Sequence, residues 1–293
     1  MFAVIGTVPE ASFPLVEGEA TAVEGKLTVA GQTCPIHRGT PALVAAALAT
    51  AQTLGQPPPL AILVGDIGQG EGSRRLYAHL EAVLGQRRYT TLCFHYLQPD
   101  VDWHNRVMFA IEAMEPRPIL IADAGYMYVA KMSGQAAAYD LFTPDVGELA
   151  FLADEEAPHP FYTRGFILHE ENLAPDLIRR AYEFDNAAQF LLVKGKIDYI
   201  ASRQRILATV SEPMVPTLEP IGGTGDTLTG LAAALIAAGY EIPQAALLAA
   251  RTNRLAGLLA EPTPATQVAE IIHHIPRALT QVLAAQANTH GKS

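Results

Sequence analysis

Short apolar runs alternate along the chain with longer stretches of helical periodicity. Residues 60–64 (after Pro57, Pro58 and Pro59), 90–95, 118–122 and 190–193 are such runs. Each is bounded by turn residues and rich in aliphatic side chains, as buried parallel strands are. Between them the spacing predicts helices over 41–54, 74–84, 107–114, 176–186, 227–238 and 243–259. This alternation predicts βαβ units and an α/β fold, a three-layer arrangement with a mainly parallel central sheet flanked by helices. Residues 1–8 read as a first strand ended by Pro9. Gly18, Gly25 and Gly31 divide 17–33 into β-prone pieces, read as a hairpin at the sheet edge, so 1–36 are taken as edge strands. The acidic, proline-bearing stretch 155–164, with His159, reads as a loop, and 287–293 as a frayed tail. No repeat or low-complexity linker divides the chain, and 1–293 is read as one domain.

Composition narrows the class. Of 293 residues 49% are hydrophobic, enough for a large core, and 17% are charged, below the usual quarter or so. A low charge content suits elements buried on both faces. Lys and Arg total 20 against 30 Asp and Glu, a formal charge of −10. A binder of phosphate backbones or anionic bilayers needs a basic face, so nucleic acid and membrane are not expected partners. The two cysteines, Cys34 and Cys93, make neither a disulfide framework nor a zinc site, and read as reduced thiols in a cytoplasmic protein. The apolar start lacks the basic leader of a signal peptide, and no stretch approaches the ~20 apolar residues of a membrane span. The apolar segment 228–238 reads as a buried helix.

In sheets of this kind ligands collect at the C-terminal ends of the strands. The strongest chemical signal is the run Gly222, Gly223, Thr224, Gly225 and Asp226, which opens a long apolar helix. Glycines let several amides converge, and a helix N-terminus adds partial positive charge, so the run predicts an anion site. Asp226 opposes an anion unless it takes a proton from a hydroxyl while the amides hold a transferring phosphoryl group. The alternative for Asp226 is an ordinary N-cap. The glycine-rich turn around Gly68 follows one strand run and precedes a helix, as a ligand-lining or a plain turn. Asp123 ends another strand and points to the crevice, or caps a turn. Asp145 and Glu148 open a helix after Thr143-Pro144, and Lys194-Gly195 ends a buried strand where a phosphate could lie. His37 and Arg38, before Gly39 and Thr40, are candidate substrate contacts, whereas His273 and His274 read as a solvated helix face. There is no Walker-type phosphate loop and no metal-ligand spacing, so no metal ligand is assigned.

In order, Gly-Gln-Gly at 68–70, IADAGYMYVA at 121–130, TPDVGEL at 143–149, VKG at 193–195 and GGTGDTLTG at 222–230 resemble the nucleotide-dependent NAD(P)H-hydrate dehydratases of the ribokinase-like superfamily. The resemblance covers roughly residues 37–260. It implies one α/β domain and a reaction in which ADP or ATP dehydrates hydrated NADH or NADPH through a phosphorylated intermediate; the Gly222–Asp226 loop with Lys194-Gly195 predicts that the nucleotide binds with Mg²⁺. It implies that Asp226 is the base and that Gly225 lies against the adenine nucleotide, with Gly222, Gly223 and Thr224. Lys194, Gly195, Lys196, Ile197 and Asp198 map to the family's nucleotide-lining strand end. Thr40, Gly68, Asp123, Asp145 and Glu148 map to substrate contacts. Asp145 and Val146 stand where the family has histidine and proline, and Asp123-Ala124-Gly125-Tyr126-Met127-Tyr128 replaces Asp-Ala-Asp-Ala-Leu-Asn. The alternatives are a kinase of a sugar or vitamin precursor and a non-catalytic nucleotide-binding regulator. The partner expected is a small molecule, and a homo-oligomer is allowed.

Overall fold

A computed structural model describes residues 1–157 and 174–290. In chain order the elements are β1 (Phe2–Val8), β2 (Val16–Val23), β3 (Lys26–Val29), β4 (Gln32–Pro35), α1 (Thr40–Thr53), β5 (Leu60–Gly65), α2 (Glu71–Val83), β6 (Thr91–His95), α3 (Val101–Glu112), β7 (Ile119–Asp123) and α4 (Gly125–Met132). They continue with β8 (Leu141–Phe142), α5 (Val146–Leu152), α6 (Ala174–Glu183), β9 (Phe190–Val193), β10 (Asp198–Ser202), β11 (Ile206–Val210), α7 (Thr224–Ala237), α8 (Ile242–Leu259), α9 (Val268–His273) and α10 (Ile275–His290). Most of the loop expected at 155–164 lies outside the described residues, as do the last three residues of the expected tail; α10 continues through 287–290. Among the described residues no helix is long and apolar enough to cross a membrane.

The chain divides into two compact units. The first comprises Met1–Leu15 and Ile62–Thr209, the second Val16–Ala61 and Val210–Ser293.

In the first unit the strands lie in the order β11-β10-β9-β8-β7-β6-β1-β5. The β1–β6, β6–β7, β7–β8 and β8–β9 pairs are parallel. Strand β1 therefore lies in the interior of the sheet, not at the edge assigned to the first 36 residues. Strands β5 and β6 are buried along their whole length, which is why their sequences read as unbroken apolar runs. Helix α3 starts earlier than its apolar spacing suggested, because Asp100 caps it: its carboxylate accepts the Trp103 N–H at 3.2 Å. Polar residues in its first turns hide that start. Beneath α3 the rings of Phe94 and Tyr126 stack at 4.2 Å. The fully buried His104 bonds Tyr139 Oη through Nε2 at 2.8 Å and Ser133 Oγ through Nδ1 at 3.0 Å. Burial lowers the His104 pKa to about 4.

The sheet is mixed, not mainly parallel. Strand β10 runs antiparallel to β9, and β2–β3 and β3–β4 are antiparallel pairs. The reason is connection length. A parallel neighbour needs a crossover of a dozen or more residues, whereas only Lys194, Gly195, Lys196 and Ile197 join β9 to β10. In the second unit the β2–β3 and β3–β4 turns are Glu24-Gly25 and Ala30-Gly31, all four residues at positive φ, the two-residue geometry that matches hairpin twist. The hairpin expected from the glycine spacing is present. Helices α1 and α7 of this unit are buried on nearly every face. They approach so closely that a Cβ on Gly230 would lie 2.3 Å from the Leu43 carbonyl oxygen.

Candidate active site

In the first unit, acidic and basic side chains gather at the C-terminal ends of β6, β7 and β9. The parallel register sets His95 opposite Asp123, and His95 Nε2 lies 3.8 Å from Asp123 Oδ2. Asp123 is 1% exposed. Its Oδ1 accepts the Ala124 N–H at 2.8 Å, and Lys194 Nζ lies 2.8 Å and 2.9 Å from its two carboxylate oxygens. Lys194 is thus ion-paired within the protein. Its backbone N–H donates to the Pro144 carbonyl at 2.8 Å, which ties the end of β9 to the turn before α5. In the β9–β10 turn, Gly195 N–H donates to the buried Asp198 carboxylate at 3.1 Å, while Lys196 is exposed and Ile197 half-buried.

Asp145 is the N-cap of α5, and Glu148 completes a capping box. Asp145 Oδ1 accepts the Glu148 N–H at 2.7 Å, and Glu148 Oε2 accepts the Asp145 N–H at 2.8 Å. Burial pushes the Glu148 carboxyl well above the usual carboxylate range; Lys194 opposes this, and Asp123 and Asp145 add to it. Burial likewise raises the Tyr128 hydroxyl, with Glu148, Asp145, Asp123 and Tyr96 adding to the effect. The Cys93 thiol, fully buried, is pushed up by burial first and Asp123 second. Neither it nor buried Cys34 forms a disulfide.

Gly68 lies in the turn between β5 and α2, in a cradle of amides already filled from within. Asp66 Oδ1 accepts the N–H groups of Gly68 at 2.9 Å, Gln69 at 3.0 Å and Gly70 at 3.1 Å. Its Oδ2 accepts both the N–H and the hydroxyl of Ser73 at 2.8 Å. Burial raises the Asp66 carboxyl, but the bonds from Ser73, Gly70 and Gly68 outweigh it and hold the pKa below the usual value.

In the second unit the 222–226 run forms the turn that opens α7. Its N-cap is Gly223, in the left-handed region at φ 97°. A Cβ there would lie 3.1 Å from both Arg38 Cα and Val268 Cγ1, so conformation and space both favour glycine. Gly225 is helical, and Gly222 and Thr224 complete a partly exposed turn. Asp226 is therefore the third helical residue and not the cap. It is 8% exposed, and its Oδ2 accepts the Gly39 N–H at 2.6 Å. Gly39 is the N-cap of α1, and Thr40, fully buried, is that helix's first residue. One carboxylate thus sits at the positive ends of two helices. Asn253 of α8 braces the turn: its Nδ2 donates to the Thr224 carbonyl at 3.0 Å, and its Oδ1 accepts the Thr227 hydroxyl at 2.7 Å. The opening amides of a helix have no acceptor within it, so this turn is suited to phosphate oxygens.

Within the first unit the structure brings together Asp123, Asp145, Glu148 and Lys194; Gly68 belongs to the filled cradle. Within the second it brings Asp226 to Gly39, beside Thr40. Sequence reasoning passed over His95, Tyr96 and Tyr128. The signal for His95 was its place at the end of a strand run; nothing in a linear pattern marks the other two.

Residues 98–277 match the family model described as NAD(P)H-hydrate dehydratase. The chain is 38% identical over 242 residues to an uncharacterized protein of Methanocaldococcus jannaschii, covering 82% of this chain and all of that one. It is 35% identical over 118 residues, 40% of this chain, to a bifunctional NAD(P)H-hydrate repair enzyme of Hyperthermus butylicus, and spans 21% of that enzyme's length. Among solved structures, a ribokinase-like superfamily protein of Enterococcus faecalis superposes with a TM-score of 0.56 at 14% identity, over 96% of this chain and 87% of that one. Phosphofructokinase-2 of Escherichia coli gives 0.54 at 14% identity, over 96% and 100%. These likenesses show a ribokinase-like α/β fold.

Proposed function

We propose, for a chain that belongs to the NAD(P)H-hydrate dehydratase family, that it dehydrates hydrated NADH or NADPH at the expense of ADP or ATP. The observation that carries this reading is Asp226: a buried carboxylate in the first turn of α7, held by an amide of another helix instead of capping its own. A carboxylate so placed would take a proton from a substrate hydroxyl. The hydroxyl oxygen bonds to the terminal phosphorus of the nucleotide as that phosphorus breaks from its bridging oxygen, and AMP or ADP leaves. The phosphorylated hydrate then loses phosphate with the C–O electron pair, and a proton from the neighbouring carbon, to restore the ring double bond. The amides of Gly223, Thr224 and Gly225 balance the charge on the transferring group. Lys194, Gly195, Lys196, Ile197 and Asp198 are assigned to the nucleotide, and Thr40, Gly68, Asp123, Asp145 and Glu148 to the substrate, with Gly222 shaping the α7 turn. Mg²⁺ would enter on the nucleotide phosphates. Lys194 takes both Asp123 oxygens, and Asp145 and Glu148 accept each other's backbone N–H, so none of these three carboxylates is assigned to the ion.

A second reading, kinase of a small hydroxylated molecule, is favoured by Asp145, an acceptor for hydroxyls where the family has histidine. The test is to incubate the purified chain with Mg²⁺, hydrated NADH and either ADP or ATP. Return of the dihydronicotinamide absorbance together with release of phosphate is expected. Phosphate transfer to sugars or vitamin precursors without that return would establish the kinase instead. Inactivity in both assays, with no stabilisation by ADP or ATP, would remove both readings.

A further inference from the structure

Tyr96 directly follows β6, at the strand end that carries His95. Its φ is 55°, a region that bulky side chains rarely adopt. Three contacts hold it there. The Thr7 hydroxyl donates to the Tyr96 carbonyl at 2.9 Å. Two residues on, the Gln98 N–H donates to Ser73 Oγ at 3.0 Å, and that hydroxyl is itself bound to Asp66. Between them the Leu97 carbonyl packs against Gly125, where a Cβ would come within 2.6 Å of it. Such strain persists only where the surroundings over-determine it. Glycine or asparagine would relieve it, so the strained position keeps a ring at a cost in stability. The ring is not used in the core: Tyr96 is 47% exposed. It meets the His95 ring edge-on at 4.2 Å, and His95 Nε2 lies 3.8 Å from Asp123 Oδ2, which places Tyr96 beside the carboxylate cluster.

We infer that Tyr96 is a stacking platform that receives the face of a substrate ring, a neutral or cationic heterocycle or a sugar. The neighbouring carboxylates disfavour an anionic group at that point. This inference rests on the proposed function and narrows it: the nicotinamide or ribose ring of the hydrate lies on Tyr96, and the phosphates lie elsewhere.

Equilibrium binding of hydrated NADH, pyridoxal and ribose to the full chain tests it, with wild type, Tyr96→Phe, Tyr96→Gly and Tyr96→Asn. Ring ligands should bind wild type and Tyr96→Phe alike and Tyr96→Gly and Tyr96→Asn roughly 3- to 10-fold more weakly. The melting temperature of the glycine variant should match or exceed wild type, because glycine adopts this φ without strain. If the glycine and asparagine variants bind hydrated NADH as tightly as wild type does, the platform is overturned and the dehydratase reading stands. If pyridoxal or ribose binds and hydrated NADH does not, the dehydratase reading falls and the platform stands, provided the variants lose that ligand. Binding of none of the three overturns both.

Discussion

The turn after β5 and the turn before α7 are both glycine-rich, both carry an aspartate and both open a helix. They use the aspartate in opposite ways. In the first, Asp66 folds back on its own turn and takes five hydrogen bonds from it and from Ser73. The cradle that could have held a phosphate is filled by a covalently attached anion. In the second, Asp226 accepts the Gly39 N–H at the start of another helix. A glycine-rich loop before a helix is therefore an anion site only if its own acidic side chain has been drawn elsewhere.

The largest effect that would break this contrast is on turnover. Asp226→Asn keeps an oxygen for the Gly39 amide and removes the base, so kcat should fall about 10²–10⁴-fold with little change in melting temperature. A variant that keeps a tenth or more of wild-type kcat would reduce Asp226 to a bracket between two helices. Asp66→Ala should show the reverse pattern. Buried donors lose a charged acceptor, and chemical denaturation should register a loss of roughly 3 kcal/mol, while the chemistry of the residual folded enzyme is retained. Unchanged stability would mean that the cradle is open to outside anions after all.

A third test concerns the first unit's core. The His104 pKa is lowered to about 4, so the folded state holds the ring neutral while the unfolded chain protonates near the ordinary value of 6.5. Stability is then complete above 6.5 and lost as pH falls toward 4, by up to about 3 kcal/mol. Denaturation midpoints measured across that window should show the slope in wild type and not in His104→Gln. The smallest effect separates the glycines of the α7 turn. Gly223→Ala forces a Cβ against Arg38 and Val268 at φ 97° and should cost about 1–3 kcal/mol. Gly225→Ala, at a helical position, should leave stability unchanged or slightly raised and weaken ADP binding. Equal melting temperatures for the two variants would show that the turn does not need its left-handed residue.

Much of the fold was legible because parallel strands buried on both faces write themselves as short apolar runs. Strands β5, β6, β7 and β9 were each located within a residue or two. Less legible were α3 and α4, whose polar or mixed first turns break the apolar spacing, and the mixed character of the sheet, which follows from connection length and hairpin geometry. Of the candidate site, the α7 turn and the acidic start of α5 were found because caps and glycine turns are local. Which glycine of that turn takes the positive φ, Gly223, was not legible, because a run of glycines does not mark the one that caps the helix.

The sequence by itself determined the α/β class, the runs that become β5, β6, β7 and β9, the acidic start of α5 and the turn that opens α7, all properties of residues near one another in the chain. Only the tertiary structure decided what each charged side chain is spent on. Lys194 neutralises Asp123 from 71 residues away, and Asp226 reaches Gly39 across 187. Those pairings depend on distances of about 3 Å between atoms remote in sequence, and Coulombic and hydrogen-bond energies fall off too steeply with distance for linear spacing to encode them.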